Sequence, residues 1–445
     1  MKNFFKSIYL NNRFFLVLII NVVLFVFGHF FPIFYLIGKI TLISLIVLIF
    51  TDFILLYNND SNIIQANRIT PDKLSNGDVN FIKIFIKSNY TYPIYIKIID
   101  EIPPQFQVRD FLIKDVLKSG HEKIFQYELN PYQRGEYSFG SLNIYCSTLL
   151  NFIGRRFIFD TNKVVPVYPS FIQMRKFELM AISNRLTDSG LKKIRRISNN
   201  KEFEQIREYV FGDDYRTINW KATARQNHFM VNQYQDEKSQ QVVSLVDMGR
   251  TMKMPFEGMS LLDYAINTSL VISNIAILKY DKAGLFTFSK NIHSVVPPSR
   301  RNNQMMNIME VLYNQSTNYL ETNYELLYTS VKYKLNQRSL LLLYTNFETL
   351  NSLNRQIKFF RQLAKSHLLV VIFFQNTEIQ SVLNSFPKST EEIYIKTIAE
   401  KTNYDKKLIV KELKKYGIHT ILTEPKNLTV NTINKYLELK AIGLI

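Results

Sequence analysis

Two apolar stretches at the start of the chain, split by a proline, limit what the rest can be. Phe14 to Phe31 is apolar apart from Asn21 and His29, and Ile33 to Leu56 is apolar apart from Lys39, a few hydroxyls and Asp52. Each runs about 18–24 residues, enough to cross a hydrocarbon core of roughly 30 Å. Pro32 marks the join, so residues 1–57 read as a transmembrane helical hairpin with a very short turn. A signal peptide fits less well, because no small-residue cleavage site precedes a second span of similar length. Lys2, Lys6 and Arg13 precede the first span, Arg68 and Lys73 follow the second, and the turn has only His29 and Lys39 nearby. The positive-inside rule then places both termini in the cytoplasm. Lys39 and Asp52 are expected near the interfaces, reaching toward water.

At 445 residues the chain has room for two or three domains. It carries 55 Lys and Arg against 37 Asp and Glu, a net charge of +18 that favours anionic surfaces. The apolar start makes that surface a lipid bilayer. Nucleic acid is not expected as a partner, because the basic residues are scattered and no zinc-finger spacing or aromatic RNA-binding motif occurs. The single cysteine, Cys146 in LNIYCSTLL, excludes an internal disulfide framework and reads as a buried small hydrophobe.

After a polar stretch, 57–75, that reads as a linker, residues 76–170 show short alternating runs such as VNFIKIFI from Val79 and PIYIKII from Pro93. Gly, Pro and Asn separate them, as in an antiparallel β-sandwich-like domain. It holds no catalytic cluster and reads as structural or partner-facing. Residues 171–240 form a connecting segment, with a basic patch, KKIRR, from Lys192. From about 241 to 445, strands expected at 242–247, 283–289, 339–345, 368–374 and 418–422 alternate with helices near 259–279, 302–314, 322–335, 351–366, 404–416 and 427–440. Such alternation predicts a doubly wound α/β domain, a mostly parallel sheet with helices on both faces. Ile292 to Pro297 follows a two-residue turn and should pair antiparallel at an edge, where Pro297 and Pro298 are tolerated. Strand 242–247 ends in Asp247, which puts a carboxylate at the sheet's carboxyl edge, where open α/β sheets place binding sites.

Upstream lies REYVFGDDYRTINWKATAR, holding the only tryptophan, Trp220. Its pattern is Arg207, Tyr209, Gly212, Asp213, Arg216, Ile218, Trp220, Thr223, Ala224 and Arg225. That pattern resembles the hallmark of the bacterial domain-of-unknown-function 58 family. The layout matches too: two spans, a β-domain with an Arg-Gly-x-Tyr-x-Phe-Gly element from Arg134 to Gly140, the hallmark, then a von Willebrand factor A-like domain. The resemblance implies a protein of the bacterial cytoplasmic membrane, often encoded beside a MoxR-type AAA+ ATPase. Read physically, Gly212-Asp213-Asp214 is a turn and 215–225 a short helix with Arg216 and Trp220 one turn apart. Asp213, Asp214, Arg216 and Arg225 could be an ion-pair network locking the segment to the sheet domain. Alternatively Arg216, Trp220, Lys221 and Arg225 form a docking surface, since Trp and Arg dominate interface hot spots.

The resemblance also implies a metal-ion-dependent adhesion site for Mg²⁺ or Mn²⁺, with the pattern Asp-x-Ser-x-Ser, a loop Thr and a loop Asp. Asp247 takes the first place, Gly249 replaces the first Ser, and Thr251 takes the second. Thr322, opening the helix 322–335, supplies the Thr, and Asn346 stands where an Asp is expected. With two of five positions departing from the pattern, the set is degenerate, and hard divalent ions rely on carboxylates. The competing reading is that Asp247 caps the strand-to-helix turn through backbone N–H groups. Taken together, the chain is expected to be a membrane-anchored interaction module or scaffold, not an enzyme, recruiting the MoxR-type ATPase or another cytoplasmic protein. The alternatives are a metal-assisted hydrolase and an envelope adhesion protein. Against the hydrolase, the six histidines show no ligand spacing, and no Gly-x-Ser-x-Gly elbow or phosphate-cradling loop occurs.

Overall fold

The computed structural model describes residues 7–57, 63–182, 202–211, 213, 215–235, 239–317, 319–387 and 389–444. The chain forms two compact units, Met1–Tyr168 and Pro169–Ile445. The basic patch at Lys192, and Gly212 and Asp214 of the hallmark, lie outside the described residues.

The first unit begins with a short strand, β1 (Ile8–Leu10), and two apolar helices, α1 (Asn12–Gly28) and α2 (Pro32–Tyr57). Pro32 opens α2, where its missing N–H costs nothing. α2 has 26 residues, is long and apolar enough to cross a bilayer, and leaves most of its side chains exposed, including Ile43 and Phe50 at 63 % each. The helices are tied by Asn21, whose Nδ2 donates to Thr41 Oγ1 at 2.6 Å and to the Gly38 carbonyl at 3.2 Å. Asp52 does not reach water. It is fully buried and accepts from Thr148 Oγ1 and from the Phe152 and Ile153 amides at 3.0 and 2.9 Å. A buried carboxylate needs such donors, and a β-turn edge supplies them sooner than solvent does. Lys39 instead lies over the Tyr35 ring, 4.5 Å from its centroid.

The strand-rich remainder of this unit is β2 (Ile64–Ile69), β3 (Leu74–Ser75), β4 (Asn80–Ser88), β5 (Ile94–Asp100), β6 (Ile113–Leu117), β7 (Glu122–Leu129), β8 (Gly135–Phe139), β9 (Leu142–Ser147), β10 (Ile153–Phe159) and β11 (Lys163–Tyr168). The orders are β1-β10-β9-β5-β6, β2-β4-β7 and β3-β11-β8. All pairings are antiparallel except β3 with β11. Alternation along the strands sends Ile84, Ile86, Ile96, Ile98, Ile144 and Cys146 into one core. Burial pushes the Cys146 thiol well above its ordinary range, so it stays a neutral hydrophobe. The stretch 57–75 is not simply a linker: β2 pairs along its whole length with β4. Its polarity misleads because Arg68 is buried in a 2.7 Å ion pair with Asp100, which also accepts from Tyr127.

The second unit opens with α3 (Phe171–Ile182), β12 (Glu202–Glu208), α4 (Trp220–Gln226), β13 (Met230–Gln235) and β14 (Gln241–Asp247). After a small hairpin of β15 (Pro255–Phe256) and β16 (Met259–Ser260) come α5 (Leu261–Leu278), β17 (Lys282–Phe288), β18 (Ile292–Ser299), α6 (Gln304–Tyr313), α7 (Tyr324–Lys334) and β19 (Leu340–Tyr344). The chain ends with α8 (Leu350–Ser366), β20 (Leu368–Phe374), α9 (Thr377–Asn384), α10 (Thr390–Lys415), β21 (His419–Thr423) and α11 (Leu428–Ala441). The main sheet has six strands in the order β18-β17-β14-β19-β20-β21. They run parallel except the edge strand β18, which carries Pro297 and Pro298 as expected.

Alternate residues of each strand feed opposite faces. Val242, Leu340, Leu342 and Val370 meet α3, α5, α6 and α11, whereas Val243, Leu341, Leu343 and Val371 meet α7, α8 and α10. Burial on both faces explains why these strands are continuously apolar. It also explains α5, which is apolar enough for a membrane span but sits 83 % buried in this core. α3 was expected in a connecting segment, yet its Phe177 is buried in the same core. The helix expected at 404–416 starts earlier, at Thr390, capped by the Ser389 hydroxyl, and α9 precedes it. Its first turns carry exposed Ile393, Tyr394 and Ile398, so no inward periodicity marks them in the sequence.

Candidate functional site

β14 and β19 both end at the same edge of the main sheet, and their last residues build the site. Asp247 ends β14 and is fully buried. Its Oδ1 accepts from the Gly249 amide at 2.8 Å and from Thr322 Oγ1 at 2.6 Å. Its Oδ2 accepts from Thr345 Oγ1 at 2.7 Å and from the Tyr324 hydroxyl at 3.0 Å. The Thr345 and Tyr324 hydroxyl oxygens are also 2.7 Å apart, so either can turn its single proton to the other in place of Asp247. One carboxylate thus joins three loops. Burial pushes its pKa up, and the Thr322, Gly249, Thr345 and Tyr324 donors pull against that shift. The same burial, together with the Asp247 charge, raises the Tyr324 hydroxyl, which therefore acts as a proton donor.

The cap reading of Asp247 is half the story: one backbone N–H serves it, and three hydroxyls do the rest. Thr322 donates to Asp247, and it lies in the loop before α7 rather than opening the helix, since Asn323 caps α7 by accepting from the Leu326 amide. Thr251 sits in a 3-10 turn, Arg250–Lys253, and does not bond to Asp247. Asn346 does not face Asp247 either; its Oδ1 accepts from Lys406 Nζ at 2.5 Å. Thr345 and Tyr324 were missed. Thr345 directly precedes Asn346 and Tyr324 lies two residues after Thr322, so hydroxyls close to chosen positions were the available signal.

Gly249 has no room for the side chain of the adhesion-site pattern. A Cβ there would lie 2.1 Å from Thr322 Oγ1 and 3.0 Å from Asp247 Oδ1. Among the described residues, no group of three or more His, Cys, Asp or Glu side chains is placed to hold a metal ion. With one carboxylate saturated by donors, and an amide oxygen already bound to an ammonium, the donor set does not fit Mg²⁺ or Mn²⁺.

Beside this knot lies a cavity of about 220 Å³, with Arg250, Thr251, Thr322, Asn346, Ser352 and Arg355 in its wall. A smaller apolar cleft of about 60 Å³ shares Asn346 and reaches Lys406, between Phe256 and Phe374. Lys406 is 8 % exposed, and burial lowers its pKa to about 8, with Glu348 opposing the shift.

The hallmark forms its own hairpin in the same unit. β12 pairs with β13, and Ile218 bridges to Val231. The expected single helix is two pieces, a 3-10 turn at Tyr215–Thr217 and α4. Asn219 follows the first and caps the second, accepting from the Ala222 amide at 3.0 Å. Thr223 Oγ1 accepts from the Met230 amide at 3.0 Å, which fixes α4 to β13. Asp213 binds Arg207 at 2.6 Å and the Val210 amide at 3.0 Å, so it closes its own turn. The Arg207 guanidinium holds the Asp213 carboxyl below its usual range. Arg216 lies over the Tyr215 ring, and Arg225 is exposed in the last turn of α4. Of the network drawn from the sequence, Asp213 is seen in this local pair with Arg207, and Asp214 lies outside the described residues. Tyr209, half-buried, approaches the Phe229 ring. Phe211 is fully exposed, Tyr215 and Trp220 about two-thirds so, and Phe229 more than half.

A family profile described as "Protein of unknown function DUF58" matches residues 205–381, from the hallmark hairpin into α9. The "Uncharacterized protein YeaD" of Bacillus subtilis (strain 168) is 26% identical over 121 residues, which cover 27% of this chain. The match spans 30% of that relative's length. Among solved structures, the conserved hypothetical protein BatB from Bacteroides thetaiotaomicron is similar over 46% of this chain and 100% of its own, at 13% identity and a TM-score of 0.31. Proximal thread matrix protein 1 from the mussel byssus is similar over 46% of this chain and 48% of its own, at 11% identity and a TM-score of 0.28.

Proposed function

We propose that this chain is a membrane-anchored interaction module of the bacterial cytoplasmic membrane. It recruits a cytoplasmic protein, a MoxR-type AAA+ ATPase, through the hallmark hairpin and the carboxyl edge of a von Willebrand factor A-like sheet. The observation that carries the reading is how the apolar helix pair is held. β1 leads into α1 and pairs with β10, while β2 follows α2 and pairs with β4. Both flanks of the pair belong to the same strand-rich body, so both ends of a two-span hairpin leave the bilayer on one side. The last turn of α2 is fastened there too, by Arg155 and Tyr90 donating to the Leu56 carbonyl at 2.8 and 3.2 Å. The basic flanks Arg13 and Arg68 favour the cytoplasm as that side. The ATPase as partner is what the hallmark's resemblance implies.

Docking is favoured over a locking role for the hallmark by its exposed aromatics. Phe211, Tyr215 and Trp220 stand beside Arg216, Lys221 and Arg225, a composition typical of hot spots. The test is co-purification of the full chain with the MoxR-type ATPase of the same genome, comparing wild type with Trp220→Ala. Loss of the ATPase at unchanged melting temperature supports the reading. Equal capture by both proteins contradicts it. A topology reporter fused after residue 445 separates this module from an envelope adhesion protein.

A further inference from the structure

The buried face of α10 runs through Ala399, Lys406, Ile409 and Leu413, so a lysine occupies a core-facing position. The residue is 8 % exposed, and its ammonium donates to a neutral amide, Asn346 Oδ1. A buried cation on a neutral acceptor is costly unless negative charge lies close by. Glu348 interacts with it electrostatically, and Asn346 directly follows Thr345, which donates to the buried Asp247. The lysine thus reaches the sheet edge at the residue where the adhesion-site pattern would put its second carboxylate. The two departures from that pattern belong together. A Cβ at position 249 would crowd Thr322 Oγ1 at 2.1 Å, and the Asn346 oxygen already accepts from the Lys406 ammonium, whose charge disfavours a second cation beside it.

We infer that this sheet edge takes no divalent cation and that the Lys406 ammonium is its resident positive charge, so a partner docking here is bound without metal. The last clause rests on the docking function proposed above; the rest stands on the geometry alone. A divalent ion would have to strip hydroxyl donors from Asp247, and it would meet an ammonium where the pattern supplies a carboxylate. Lys406 acts through Asn346 and is a positioning residue for the loop after β19, not a group in contact with any ligand.

The experiment uses the full chain in lipid nanodiscs with no partner present, so failure to find a partner cannot affect it. Mn²⁺ is titrated to millimolar concentration by calorimetry, and melting is followed in EDTA and in Mg²⁺. The expected result is no saturable binding, identical traces for wild type and Asp247→Asn, and one melting temperature in both buffers. One-site binding by wild type that disappears in Asp247→Asn overturns the inference. Lys406→Met is expected to melt several degrees lower than wild type, with no recovery in Mg²⁺. Unchanged melting in that variant, or recovery by Mg²⁺, also overturns it. If Lys406→Met does not accumulate, the wild-type titration decides alone.

Discussion

Replacing Asp247 by alanine should damage the second unit far more than its single position suggests. The carboxylate is fully buried and accepts four hydrogen bonds from three loops. In Asp247→Ala, Thr345 and Tyr324 can bond each other, but the Gly249 amide and the Thr322 hydroxyl lose their acceptor inside the protein. Stranding a buried polar group costs about 1–3 kcal/mol, and bonds to a charged acceptor are worth more than neutral ones. Relief of carboxylate desolvation offsets part of the loss. The net expectation is about 3–5 kcal/mol of destabilisation, comparable to removing one partner of a buried charge pair. For a unit of this size that lowers the melting temperature by on the order of 10 °C. Asp247→Asn keeps the shape and one good acceptor, and should lose about 1–2 kcal/mol as hydroxyls rotate to accept from its Nδ2. Thermal melting of the full chain, with hydrogen exchange at the Gly249 amide, measures both. A melting temperature for Asp247→Ala equal to wild type would refute the idea that this carboxylate is the knot of the sheet edge.

Other outcomes follow from the same geometry. Gly249→Ser should destabilise by about 1–3 kcal/mol through overpacking against Thr322, measurable by the same melt; a neutral result would mean the loop yields freely. Asp52→Ala should free the Phe152 and Ile153 amides, and their exchange should accelerate while the second unit keeps its protection. For the Arg207–Asp213 pair, the folded carboxyl lies below its ordinary range. Its contribution is thus present above the ordinary pKa of about 4 and fades as pH falls through the lower folded value. Exchange at the Val210 amide should accelerate in that acid window in wild type but show no such step in Asp213→Asn.

The sequence was most legible where burial repeats. The strands of the main sheet are continuous apolar runs because both of their faces are covered, and the antiparallel edge strand was marked by its two-residue turn and prolines. Legibility failed where polar residues are buried in pairs. Arg68 with Asp100, and Asp52 with the loop at Thr148, look like solvated charges in a one-dimensional reading. At the sheet edge, Asp247 and Thr322 could be chosen from position and type. Lys406 could not, since its role depends on which helix face arrives beside the edge. In the hallmark, the pairing of Asp213 with Arg207 and with the Val210 amide depends on how the turn folds, which the order of charges alone does not show.

The central claim, that the hallmark hairpin is the docking surface of a membrane-anchored module, is tested most directly by photo-crosslinking in native membranes. A photoreactive phenylalanine analogue is placed at Phe211, at Trp220 and, as a control, at Tyr333 in α7, which is 80 % exposed. Crosslinks to the MoxR-type ATPase from positions 211 and 220, with none from 333, are the predicted result. Equal crosslinking at all three positions, or none at 211 and 220, would contradict the account.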